Sequence, residues 1–233
     1  MMLDRWSLLA WLLVLACLVA GHAAAQDTLK ANPANATLKF ENSRVRALEI
    51  VIKPGERDNE HSHPDYATYV VSGGKFRVHT KDGDSVGEFK TGDVILRPAQ
   101  THWAENIGKT TIHLILFEWK DLKLPGDALA IPPDKDTLKA NADTVKFKAE
   151  NDKIRALESA LKPGTREHEH SHPNYITYVI SGGSVRNHSN GTESPGEMKT
   201  GDVMYRDART HWSENVGDTT VRVIMFEIKG LKE

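Results

Sequence analysis

Apolar and polar positions alternate in short bursts along this chain, and no segment keeps a 3.6-residue apolar period over the length of a helix. "RVRALEIVIKPG" (44–55) alternates and is rich in β-branched residues before a Pro-Gly stop. "YATYVVSGG", "KFRVHT" and "TTIHLILFEWK" follow, interrupted by "KDGD" and "TGD". Each reads as a strand closed by a turn. Many short strands in about 100 residues predict an all-β sandwich or barrel rather than a helical or α/β domain.

The pattern is written twice. "EHSHP" at 60–64 returns at 169–173, an offset of 109 residues from His61 to His170. Applied from Thr37 to Lys120, that offset needs no gap, and roughly half of the aligned positions are identical. "ENSRVRALE" becomes "ENDKIRALE", "KTGDVILRPAQTHWAEN" becomes "KTGDVMYRDARTHWSEN", and "FEWK" becomes "FEIK". A tandem duplication of one small β unit is expected. The Pro- and Gly-containing stretch 124–136 is the natural joint, giving units at 26–123 and 137–233.

Residues 1–25 have a different composition. A short head with one arginine, Arg5, precedes the small and aliphatic run "SLLAWLLVLACLVAG", and Ala23 and Ala25 stand where an A-x-A cleavage site places small residues. The run is shorter than the ~20 residues of a comfortable bilayer span. An N-terminal signal peptide cut between Ala25 and Gln26 is expected, leaving no membrane span and a periplasmic or secreted chain. "VLAC" makes lipidation at Cys17 the alternative. Cys17 is the only cysteine, so cleavage removes every thiol and with it any disulfide, Cys ligand or Cys nucleophile. With 30 Lys+Arg against 32 Asp+Glu and a net charge of −2, the chain lacks the basic footprint of a nucleic-acid binder.

The chemistry lies in histidines. On a strand, positions i and i+2 share a face, so His61 and His63 present two imidazoles side by side, as do His170 and His172. A third follows in each unit, His102 and His211. A lone histidine is more often a satisfied polar residue than a ligand. Here three recur at matching positions while half of their surroundings have changed.

These residues resemble the cupin superfamily, and the duplication resembles a bicupin, two jelly-roll barrels in one chain. Gly55, His61, His63 and the "SGG" at 72–74 match the family's first motif, and so do Gly164, His170, His172 and 181–183. Gly92, Pro98, His102 and Asn106 match the second motif with one residue fewer between proline and histidine. Gly201, His211 and Asn215 repeat it, with Asp207 in place of the proline. The resemblance implies a divalent transition metal (Fe, Mn, Ni, Cu or Zn) on His61, His63 and His102, and on His170, His172 and His211, with the third histidine brought across the barrel. The glutamate that usually joins them is missing: Ala67 and Thr68 stand at its place in the first unit, Ile176 and Thr177 in the second. Alternation turns Glu60 and Glu169 away from the histidine face. Three neutral imidazoles leave the ion's charge uncompensated, which favours an anionic small-molecule ligand or hydroxide in the open positions.

Around the triads, Tyr66, Tyr69, Tyr175 and Tyr178 are read either as packing aromatics or as donors to a ligand. Arg77 with His79, and Arg186 with His188, share a face that either lines the cavity to hold an anion or meets solvent. Trp103 and Trp212 point away from the third histidine, which assigns them to barrel–barrel or subunit packing; a homo-oligomer is left open. Glu105 and Glu214 share the tryptophan face. Two functions fit: a metal-dependent, dioxygenase-like enzyme acting on a small molecule, or a non-catalytic binding module of the cell envelope. No phosphate-cradling glycine loop, nucleotide fingerprint or Ser/His/Asp ordering is present.

Overall fold

The computed structural model describes residues 26–120 and 131–229. The leader at 1–25 lies outside them, and so does most of the joint expected at 124–136. Each unit opens with a single helical turn, α1 (Thr28–Ala31) or α2 (Thr137–Ala140), and continues as nine strands. The first unit has β1 (Ala36–Glu41), β2 (Val45–Ile52), β3 (His61–His63), β4 (Tyr66–Ser72), β5 (Gly74–Thr80), β6 (Gly83–Phe89), β7 (Val94–Arg97), β8 (Gln100–Asn106) and β9 (Ile112–Trp119). The second has β10 (Val145–Glu150), β11 (Ile154–Leu161), β12 (His170–His172), β13 (Tyr175–Ser181), β14 (Gly183–Ser189), β15 (Thr192–Met198), β16 (Val203–Arg206), β17 (Arg209–Asn215) and β18 (Val221–Ile228). None of the described helices is long and apolar enough to cross a membrane.

In each unit a five-stranded antiparallel sheet faces a four-stranded one. The orders are β1-β2-β9-β4-β7 with β3-β8-β5-β6, and β10-β11-β18-β13-β16 with β12-β17-β14-β15. This is a pair of tandem jelly-roll barrels, as the alternating pattern and the duplication predict. The "KDGD" break is shorter than it reads, because β6 already starts at Gly83.

The near-continuous apolar run of β9 has a two-sided cause. Ile112, Leu114 and Leu116 point into the first barrel with Leu48, Ile50 and Ile52 of β2. Ile115, Phe117 and Trp119 point the other way, into a buried cluster shared with Ile154, Ile176, Ile224, Phe226 and Ile228 of the second barrel. Phe117 and Phe226 meet with ring centroids 4.5 Å apart, and Tyr69 meets Tyr178 at 5.9 Å. A strand buried on both faces loses the polar half of its alternation.

Two motif glycines are dictated by backbone. Gly55 turns at φ +78° after β2, a conformation that L side chains rarely adopt. A Cβ at Gly73 would lie 2.0 Å from the Phe89 carbonyl oxygen, so the turn between β4 and β5 admits no side chain. The motif asparagine Asn106 is buried, and its amide donates to the carbonyls of Ile52 and Thr110, at 2.8 Å each, tying the end of β2 to the turn before β9.

Candidate metal centre

The short strand β3 places His61 and His63 on one buried face, and β8 is its antiparallel neighbour, with His61 opposite His102. The third histidine therefore comes from the adjoining strand of the same sheet and not, as expected, from across the barrel. β12 and β17 repeat this, pairing His170 with His211. In each trio one nitrogen per ring lies within 4.8 Å of the other two, and among the described residues no carboxylate joins either group.

The rings are held from behind. His61 Nδ1 donates to the Asn59 carbonyl at 2.7 Å, and His63 Nδ1 donates to Glu118 Oε1 at 2.5 Å. This leaves both Nε2 lone pairs directed inward, and these atoms stand 2.9 Å apart. Two lone pairs so placed repel unless a cation or proton lies between them. His170 and His172 are fixed in the same way, by the His168 carbonyl at 2.8 Å and by Glu227 at 2.7 Å. Buried His102 Nδ1 and both ring nitrogens of His211 have no partner among the described residues. Burial, with the neighbouring histidines adding to it, pushes His102 down to about 3 and His211 to about 2. Neutral, inward-directed imidazoles with unspent nitrogens fit a divalent transition metal, and carboxylate or carbonyl partners on the outer nitrogens are the usual support for such ligands.

The carboxylates behind the rings were missed in the sequence. Glu118, on the inward face of β9, also accepts from Arg46 Nε at 2.7 Å, and Arg46 Nη1 bonds Asp27 at 2.6 Å. Asp136, Arg155 and Glu227 repeat this line to His172. Burial opposes ionisation of Glu227, but its bonds from His172 and Arg155 outweigh burial and hold the carboxyl below the usual range. Two carboxylates and one guanidinium leave each line with one net negative charge, so an ion's charge is partly met from behind. The α1 turn adds Asn32, whose amide lies 3.2 Å from His61 Nδ1, and Thr28, 3.3 Å from His63 Nδ1. "DTLKAN" at 27–32 recurs unchanged at 136–141, a signal upstream of the stretch used to define the repeat.

At the place of the missing acid, Thr68 and Thr177 face the cavities, while Ala67 and Ile176 face the other barrel. Glu60 is exposed and Glu169 pairs with Lys135 at 2.6 Å, so both lie off the histidine face. The tyrosines divide by alternation. Tyr66 and Tyr175 pack on His63 and His172 at 4.6 and 4.5 Å and line the cavities, whereas Tyr69 and Tyr178 belong to the interface. The cavities measure about 240 Å³ in the first barrel and about 400 Å³ in the second.

Trp103 and Trp212 do not pack the barrels together. Each stacks at 3.5 Å on His79 or His188 on the outer face of its four-stranded sheet, beneath Arg57 or Arg166. Arg77 pairs there with Glu105 at 2.6 Å, and Arg186 lies 3.7 Å from Glu214. The Arg–His pairs thus meet this outer cluster and line neither cavity. The tryptophan positions sit on β8 and β17, whose sheets lie away from the barrel–barrel contact, a placement that only the strand order reveals.

The fold, two tandem jelly-roll barrels each carrying a three-histidine group, is similar to that of bicupin structures. No protein-family model matches the sequence, and no curated protein matches it. Among solved structures, the chain is similar to AerE from Microcystis aeruginosa (15% identity, TM-score 0.57, covering 84% of this chain and 97% of that one). A deletion mutant of Bacillus subtilis oxalate decarboxylase aligns at 15% identity and TM-score 0.59, over 84% and 75% of the two chains. Salicylate 1,2-dioxygenase from Pseudaminobacter salicylatoxidans aligns at 14% and 0.53, over 82% and 75%. At these identities the likeness carries the fold alone.

Proposed function

We propose that this chain is an exported, metal-dependent bicupin enzyme that transforms a small molecule by an oxygenase-type reaction. The observation that carries this reading is the duplicated triad, in which two of the three histidines have their outer nitrogens anchored, to Asn59 or His168 and to Glu118 or Glu227. His61, His63 and His102 would hold one ion and His170, His172 and His211 the other; iron, manganese, nickel, copper and zinc all suit imidazole ligands. When bound, such an ion supplies a Lewis-acid or oxygen-activating centre. The chain's own part is to hold the imidazoles as buried ligands inside the barrel and to offer the Tyr66 or Tyr175 hydroxyl to a ligand. Export is supported by the leader-like composition of 1–25. In addition, the carbonyl of Gln26, the residue after the expected cut, accepts a bond from Ser62 N at 3.0 Å, so cleavage there retains this contact.

Thr68 and Thr177, where the acid is expected, favour a second reading as a binding module without turnover. Elemental analysis of the mature protein, followed by an oxygen-uptake screen with the metal it carries, separates the two. Uptake that depends on both metal and a small-molecule substrate supports the enzyme, and metal without turnover across the screen supports the module.

A further inference from the structure

The triads and their supports are the same in both barrels, but the cavity walls are not. Where the first cavity has Ile50, Val78 and Ala104, the second has Ser159, Asn187 and Ser213. These three are tied to a buried carboxyl: Ser213 Oγ donates to Asn187 Oδ1 at 3.1 Å, Ser213 N donates to Glu167 Oε2 at 3.1 Å, and Ser159 also bonds Glu167. Smaller or more flexible side chains, Val185 and Met198, replace Phe76 and Phe89, and the space grows from about 240 to about 400 Å³. These exchanges, on both sheets, enlarge the second cavity and make part of its lining polar, which indicates different contents.

The decisive exchange is at the start of β8 and β17. Gln100 in the first barrel donates to the Tyr66 hydroxyl, so its amide N–H is already partnered. Its counterpart is Arg209, whose Nε is buried without a partner among the described residues, next to His211 on the cavity wall. A guanidinium with a desolvated, unspent N–H is costly unless a ligand supplies the acceptor. The other charged groups facing it do not. Glu167 is engaged by Ser159 and Ser213, and burial pushes its carboxyl up to about 7. Arg206, exposed at the rim, adds positive charge.

We infer that the second cavity, and not the first, binds a small-molecule carboxylate through the in-plane donor edge of Arg209. A carboxylate's two oxygens match that planar two-donor fork, and its single charge offsets that of the guanidinium. This rests on the reading of the cavities as ligand sites but needs no metal for the Arg209 contact.

Calorimetric titration of the full mature chain with benzoate, benzamide and inorganic phosphate tests it, on metal-stripped and metal-loaded samples whose metal content is measured. Metal-stripped protein should take one benzoate per chain. Arg209→Gln installs the residue the first barrel tolerates at that position; it should weaken benzoate at least about tenfold and leave benzamide unchanged, while Arg209→Lys retains part of the affinity. Gln100→Arg should bring benzoate affinity to the first cavity. No benzoate binding, two equal benzoate sites, an Arg209→Gln variant that binds as well as the parent, or phosphate bound more tightly than benzoate would each overturn the inference. One Arg209-dependent site in a chain that never takes up metal would sustain it and remove the metal reading; two metals with no such site would do the reverse.

Discussion

At the scale of single residues, Glu118 and Glu227 do two things for the histidines in front of them. They fix the ring so that Nε2 faces inward, and they place negative charge behind it. Glu118→Gln keeps the shape and loses the charge. It should weaken metal at the first triad by about 10- to 100-fold and leave the second unchanged, as read by competition with a chelator. Glu60→Ala should change neither. Buried titratable groups set the acid–base behaviour of the metal-free protein. His102, held far below its ordinary value, takes up its proton more readily in the unfolded chain, so stability falls as pH drops from about 6.5 toward 3. Glu167, held near 7, has the opposite sign: stability present at low pH is lost as pH rises through 7. Glu167→Gln should therefore raise the melting temperature at pH 8 relative to the parent, and much less at pH 5. A gain of the same size at both pH values would mean that the carboxyl is not titrating. The gathering of the six histidines into two trios was legible because strand positions i and i+2 share a face and the duplication showed the pattern twice. Glu118 was not, because one acid inside "HLILFEW" reads as the solvent side of a strand until the strand is seen to be buried on both faces.

At the scale of elements, the one-turn helix α1 has too few residues to stand alone, and its position is set by what it touches. Asp27 caps it, accepting from Leu29 N at 3.0 Å, and pairs with Arg46, while Thr28 and Asn32 rest against the histidines. Asp27→Ala should cost about 1 kcal/mol from the cap, seen as a lower denaturation midpoint, and should also loosen metal at the first triad through Arg46. A variant with parental stability and parental metal affinity would show that α1 is incidental to the site. The strands were readable from alternation and turn residues. Their neighbours were not: nothing in the spacing of "EHSHP" and "QTHWAEN" says that β3 and β8 pair directly, and this pairing sends Trp103 to the outer stack with His79 instead of to the other barrel.

At the scale of the whole molecule, duplication produced two barrels that share an apolar seam, so the halves are joined by packing as well as by chain. Limited proteolysis in the connector around 124–136 should give two β-rich fragments on a denaturing gel that still co-elute in native size exclusion. Phe117→Ala, which empties the centre of the Phe117–Phe226 contact, should cost about 3–5 kcal/mol and let the nicked halves separate. Nicked parental halves that separate without denaturant would show the seam to be weak. The repeat made the two-barrel plan visible, but the seam was hidden inside strands that looked simply hydrophobic. The central claim is that both barrels keep a working metal centre built from three histidines and no direct carboxylate. Inductively coupled plasma mass spectrometry of the purified mature chain, grown with each candidate metal, tests it most directly. Two equivalents of one transition metal per chain are predicted, falling to one in His63→Ala and to one in His172→Ala. A parental chain that carries no metal under any of these conditions would contradict the account.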